Sequence, residues 1–460
     1  MLSVSDSGGM GRRSFLRVGS LGLGGMSLAQ RLQAEEVVKG LGGAATGKSV
    51  VFLFMHGGPP QTETFDPKMD APSGVRSVVG EVKTPIPGVS FGAALPKLAR
   101  LAKQMAVVRS FTTGNGNHDI KPVVGADTLG ANLGSLYSRV AGVNDAATGM
   151  PSNVALYPKA AFADAKEVPT QFGKFGSTGV LGPAYAPFVA GGGGDAQRDL
   201  ELAISKVRLG DRRHLLGRLE ELRRVVEKGG EMGRLREQAF DVILGGAAEA
   251  FDLTKEDPRT LARYDTGGLY DLTKIDKRWN NHENYRDHAR SLGHLMLMAR
   301  RLCERGCGFV TVTTNFVWDF HADQNNATVV EGLGYVGAPF DHAVAAFLQD
   351  LEERGLSEDI LLVCCGEMGR TPRVNAKGGR DHWGRLAPLM LAGGGLRMGQ
   401  VIGQSTADAG EPAADPVDNS NLIATVMNVL LDVPRLRTEV GLPADVARVV
   451  TGGKRIEALF

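Results

Sequence analysis

Two apolar runs that each end in a glycine-flanked turn constrain what this chain can fold into. In SVVFLFMHGGPPQTETFDPK, Ser49 to Met55 reads as a buried strand, and His56, Gly57, Gly58, Pro59 and Pro60 form the loop leaving it. In ILLVCCGEMGRTPRVNAKGGRDHW the strand is Ile360 to Cys365, followed by Gly366, Glu367, Met368, Gly369 and Arg370. Two further runs end the same way. Met105 to Val108 leads into a small-residue loop holding Thr112, Thr113, Asn117, His118 and Asp119, and Phe309 to Thr313 leads into Asn315, Asp319 and His321. Helical spacing between such runs, as from Tyr285 to Arg305 and from Pro339 to Arg354, makes strands and helices alternate. The pattern predicts an α/β fold, a doubly wound, mostly parallel sheet with helices on both faces. In such a sheet ligands gather outside the carboxyl ends of the strands, so the polar residues after each run are expected to converge.

A length of 460 residues admits one large domain with insertions or two to three ordinary ones. Lys and Arg total 52 against 51 Asp and Glu, a net charge of +1 that supplies no global field for nucleic acid or a membrane surface. Any anionic substrate is therefore held locally. The four cysteines, Cys303, Cys307, Cys364 and Cys365, read as packing thiols, since nothing near them completes a structural zinc site.

At the amino terminus, Gly11, Arg12, Arg13, Ser14, Phe15, Leu16 and Arg17 precede a mildly apolar, glycine-rich stretch too short to span a membrane. This resembles a twin-arginine export signal. It implies the twin-arginine translocase as a partner, a periplasmic or cell-envelope location, and a cargo that folds before export, often with its metal loaded. We divide the chain into a signal and flank over 1–34 and a single domain over 35–460. That domain carries a charged helical insertion at about 196–290, with leucines at helical spacing from Gln197 to Lys228.

Histidine and carboxylate at strand ends suit a divalent transition metal, with imidazole favouring zinc, manganese or iron over calcium. Asp319, His321 and His382 make a three-ligand site with one position open, with Asp381 beside them. His56 and Glu367 start a second. Two such ions about 3.5 to 4 Å apart clamp the attacking and leaving oxygens of an in-line displacement, the chemistry of phosphoryl or sulfuryl transfer. Arg370, Arg380 and Asn117 are then candidates to hold the substrate's remaining oxygens, and His118, Glu367 and Arg370 to act in catalysis. Each residue also has a structural alternative. His56 serves as a turn residue, Asp319 and His321 as a hydrogen-bonded pair, and Glu367 as a buried partner of Arg370 or Arg373.

Taken in order, the leader, FLFMHGGPPQTETFDPK, NHDI, FVWDFHAD, GEMGRTPRVN, GGRDHW and LAGGGLRMGQVIG resemble the exported domain of unknown function 1501 family over nearly the whole chain. That family is placed with the sulfatase and alkaline phosphatase superfamily. The resemblance implies an alkaline phosphatase-like α/β sandwich with one or two metal ions at the strand ends. Asp319, His321 and His382 match the ligands of one ion, while His56 and Glu367 fall where the superfamily places those of another. It implies hydrolysis of phosphate or sulfate esters, on small molecules or polysaccharides. The chain departs from the superfamily at the nucleophile. Where a Ser, Thr or Cys is expected, the sequence reads NGNHDIKPVVGADTLG, with Asn117 and His118 nearest and Thr112 and Thr113 upstream. Attack by His118, attack by water, and a non-catalytic protein that binds metal or ligand on the same fold all stay open.

Overall fold

The structure is a computed structural model that describes residues 42–145, 148–189, 247–439 and 441–460. The twin-arginine stretch and the helical pattern from Gln197 to Lys228 lie outside the described residues.

Among the described residues, eight strands form the central sheet: β1 (Ser49–Phe54), β2 (Ala106–Val108), β3 (Asn153–Leu156), β4 (Phe188–Val189), β5 (Phe309–Thr313), β6 (Ile360–Cys365), β7 (Leu389–Gly393) and β8 (Gln400–Ile402). Their order across the sheet is β8-β2-β7-β6-β1-β5-β3-β4. Only β7 runs against the others, antiparallel to both β6 and β2. The remaining pairs are parallel. Every residue of β1, β5 and β6 is buried, because central strands of a parallel sheet are covered on both faces and need apolar side chains on both.

Alternate residues of β1 enter two separate cores, as the period of two requires. Val51 and Leu53 join the core built on helices α2 (His282–Glu304) and α3 (Val329–Glu353). Val50, Phe52 and Phe54 face α1 (Leu133–Ala141) and α4 (Asn419–Leu430) on the other side. The fold is thus doubly wound, as the alternation of runs predicts. Adjacent Cys364 and Cys365 divide between the same two cores, and all four thiols are free and buried.

One expectation changes. Pro339 does not begin its helix. It lies inside α3, which starts at Val329 behind Thr328, whose hydroxyl accepts from the Glu331 amide at 3.2 Å. No helix opens at Pro122. The chain turns there and the next long helix waits for Leu133, so His118 and Asp119 gain nothing from a helix amino terminus. Among the described residues no helix is long and apolar enough to cross a membrane.

His288 of α2 is a buried histidine outside the cluster of ligand atoms, bonded to the residue that follows β5. Its Nδ1 accepts from the Thr314 hydroxyl at 2.6 Å and its Nε2 donates to the Val336 carbonyl at 3.2 Å. Burial lowers its pKa to about 4. The unfolded chain takes up this proton below about pH 6.5 and the native state does not, so stability falls as pH drops from 6.5 to 4. The loss is on the order of 3 kcal/mol. Denaturant titrations at pH 7 and pH 4.5 should show a smaller difference for His288→Gln than for the parent; equal differences would assign the acid sensitivity elsewhere.

Candidate metal centre

Parallel order puts the carboxyl ends of β1, β2, β5 and β6 on one edge. Reversal of β7 does the rest. Leu389 pairs with Cys365, so the chain that leaves β6 at Cys365 returns to the sheet at the same edge. Everything between, including Glu367, Arg370, Arg380 and His382, stays above the strand ends. Close backbone contacts then fix the loops. Gly57, at φ 115°, lies so near the chain at 318–319 that a Cβ would sit 2.6 Å from the Asp319 nitrogen. A Cβ on Gly384 would meet the Asn115 backbone at 2.1 Å, which is how the His118 loop rests on the His382 segment. Asn315 and Ala322, both at positive φ, bracket the stretch that carries Asp319 and His321.

His118, Asp319 and His382 come together, one ligand atom from each lying within 4.8 Å of the others. His321 joins them, its ring 4.3 Å from that of His382, while the rings of His118 and His382 are 4.2 Å apart. Asp319 is the hub. It lies within 3.5 Å of His118 Nε2 and 2.8 Å of the Arg370 guanidinium, contacts His321 Nδ1, and accepts from the Asn326 amide at 3.1 Å. Burial opposes its charge, but Arg370 and the neighbouring imidazoles outweigh burial and hold its pKa well below the usual carboxylate range. His382 has the opposite balance. Burial, then the charges of Arg370 and the other histidines, lower its pKa to about 3, and its buried Nε2 has no hydrogen-bond partner.

The donor set fits a divalent metal. It offers a neutral imidazole nitrogen with no partner, an ionised carboxylate and a second imidazole whose far nitrogen is already fixed. That second imidazole is His118. Its Nδ1 donates to Glu367 Oε1 at 2.8 Å, while the same carboxylate accepts from the Gly57 amide at 2.9 Å. A carboxylate behind a ligating histidine sets its tautomer and leaves Nε2 for the metal. Burial lowers the His118 pKa, but hydrogen bonds to Asp319 and Glu367 raise it by more, which an adjoining cation would offset.

Several sequence expectations need correction. Glu367 arrives at the site behind His118, its carboxylate bonded to the His118 ring and the Gly57 amide. His56 is 1% exposed with both ring nitrogens unpartnered, boxed by Phe54, Phe172, Phe175 and Phe316. Burial brings its pKa to about 4. It therefore sits as a neutral ring among aromatics, outside the ligand cluster. Asp381 is exposed and accepts from the Asn375 amide at 3.1 Å. Asn117 is exposed and does not line the cleft at the cluster.

Neither arginine is free to hold substrate. Arg370 is fully buried, its guanidinium spent on Asp319, on His321 Nδ1 at 3.1 Å and on the carbonyls of Gly57, Gly58 and Arg380. Arg380, also fully buried, pairs with Glu63 at 2.9 Å and donates to the carbonyls of Thr371, Pro372, Val75 and Arg76. Thr112 donates its hydroxyl to the Gly384 carbonyl at 3.0 Å.

The cluster opens into a cleft of about 530 Å³ lined by His118, Asp319, His321 and His382, and also by Phe172, Phe316 and a group of amide side chains. Sequence reading missed these walls and Glu63, because amides and a glutamate in loops carry no periodic signal.

No curated protein matches the chain. Among solved structures it aligns with the PsFucS1 sulfatase from Pseudoalteromonas sp. at 12% identity and a TM-score of 0.35, covering 94% of this chain and 78% of that one. It aligns with TAB5 alkaline phosphatase at 11% identity and a TM-score of 0.34, covering 84% of this chain and 98% of that one. For the phosphonate monoester hydrolase of Agrobacterium radiobacter the identity is 10%, the TM-score 0.31, and the coverage 89% and 78%. The family described as "Protein of unknown function (DUF1501)" matches residues 47–460, and the chain belongs to that family.

Proposed function

We propose that this chain is a metal-dependent hydrolase of phosphate or sulfate esters. One observation carries the reading: His118, Asp319 and His382 gather their ligand atoms within 4.8 Å where a cleft meets the strand ends. A bound divalent ion would polarise the ester oxygen and lower the pKa of a water molecule. The chain's own residues supply the rest. Glu367 fixes His118, and Arg370 holds Asp319 ionised and in place. His321 lines the cleft with its Nδ1 held between Asp319 and the Arg370 guanidinium; with its proton on Nδ1, its Nε2 takes a proton from the attacking water. No Ser, Thr or Cys is among the described residues lining the cleft, which favours water over a protein hydroxyl as the nucleophile.

The test is turnover of an aryl phosphate and an aryl sulfate by the full chain with added zinc or manganese. His321→Gln should lower kcat by about 100-fold or more while metal content is retained. Metal binding with no turnover of either ester would instead favour a non-catalytic binding protein.

We also propose that the protein is exported folded through the twin-arginine pathway, on the strength of Arg12 and Arg13 before Phe15 and Leu16. Replacing both arginines by lysine should leave folded protein in the cytoplasm; unchanged appearance outside it would reject the assignment.

A further inference from the structure

One wall of the cleft is rich in carboxamides, with Lys166, Glu167 and Asp323 also in the lining. Gln171, Asn281, Asn284, Asn325 and Asn326 all line it, and the asparagines are wired in one direction. Asn284 Nδ2 donates to Asn281 Oδ1 at 3.3 Å, Asn281 Nδ2 to Asn326 Oδ1 at 2.6 Å, and Asn326 Nδ2 to Asp319 Oδ2 at 3.1 Å. Backbone bonds lock the two segments together, the Asn281 amide donating to the Asn325 carbonyl at 3.0 Å. Each link in the chain of amides uses one N–H and one lone pair, while a carboxamide offers two of each. The wall thus keeps donors and acceptors beyond those its own links use. Only the innermost of the four asparagines, Asn326, is buried; Asn281 and Asn284 are half-buried and Asn325 is exposed.

We infer that the ester cleaved here is carried on a polyhydroxylated group, a sugar or other polyol, whose hydroxyls are read by this amide wall. The inference rests on the proposed hydrolase reading for the position of the ester, and on the wall for the identity of what carries it. A hydroxyl is both donor and acceptor, and so is a carboxamide; an alkyl or aryl group would leave these amides unpaired and desolvated. Phe172 and Phe316 supply an apolar surface beside the wall for the C–H face of a ring. They stack on each other with centroids 4.8 Å apart and an interplanar angle of 21°, which leaves no slot between them for a planar base.

Calorimetric binding to the full, zinc-loaded chain tests this without requiring turnover. Glucose 6-phosphate is compared with hexyl phosphate, and glucose 6-sulfate with hexyl sulfate, pairs that differ in hydroxyls and not in the ester. For at least one pair the sugar ester should bind about tenfold tighter or better, and Asn284→Ala should shrink that ratio while the variant melts like the parent. Equal binding within both pairs, tighter binding of hexyl esters, or a ratio untouched by Asn284→Ala and by Gln171→Ala would overturn the inference. Preference for adenosine 5′-monophosphate over glucose 6-phosphate would overturn it in favour of a nucleotide. If the sugar preference holds but no ester is hydrolysed, the hydrolase reading fails and the amide wall stands.

Discussion

Asp319→Ala is expected to strip the centre of metal and to destabilise the fold by about 3–5 kcal/mol, the cost of leaving a buried charge without its partner. The carboxylate is 3% exposed and is the anion facing the fully buried Arg370. Its removal strands that guanidinium, frees the Asn326 amide and takes one of the three clustered ligands. Asp319→Asn separates the two effects, since it keeps the shape and one acceptor oxygen but not the charge. It should still lose metal, with affinity down by 100-fold or more, because changes to groups merely supporting a ligand already cost 10 to 100-fold. Denaturant unfolding and metal analysis of both variants check this. An Asp319→Ala protein that unfolds like the parent and retains its metal would show that Asp319 is neither hub nor ligand.

Glu63→Ala should be comparably severe for a reason remote from catalysis. Glu63 and Arg380 are both fully buried, 2.9 Å apart, and Glu63 also accepts from the Ser77 hydroxyl at 2.6 Å and the Val78 amide at 3.1 Å. Burial lowers the Arg380 pKa, with Glu63 acting against it. Truncating the carboxylate leaves a cation with carbonyls alone, again about 3–5 kcal/mol. Replacing the pair together, Glu63→Leu with Arg380→Met, should recover much of the loss, since a buried pair exchanged for apolar groups is often close to neutral. Urea unfolding distinguishes the outcomes. If Glu63→Ala leaves stability intact but raises KM for an ester, Arg380 binds substrate after all.

The strands were legible because burial on both faces writes itself as unbroken apolar runs, and β5 and β6 begin and end where those runs do. Convergence at one edge was legible for the same reason, as strand ends can be counted. The direction of β7 was not, since an apolar run reads the same both ways, yet its reversal returns the Glu367 to His382 segment to the site. Side-chain direction was equally hidden. Arg370 and Arg380 both follow glycine near candidate ligands, and nothing local says that each turns inward onto carbonyls and a carboxylate far away in sequence. His118 was placed in the right loop, but its pairing with Glu367 joins residues 249 positions apart. His56 is the converse: nothing local in the sequence shows that its ring lies among four aromatic rings.

The central claim, one metal centre on His118, Asp319 and His382 supported by Glu367, is tested most directly by elemental analysis of the purified full chain, parent beside His382→Ala. About one divalent ion per parent chain is expected and little or none in the variant, whose lost Nε2 is a buried nitrogen without a protein partner at the cluster. A metal-free parent, or His382→Ala with full occupancy, would contradict it.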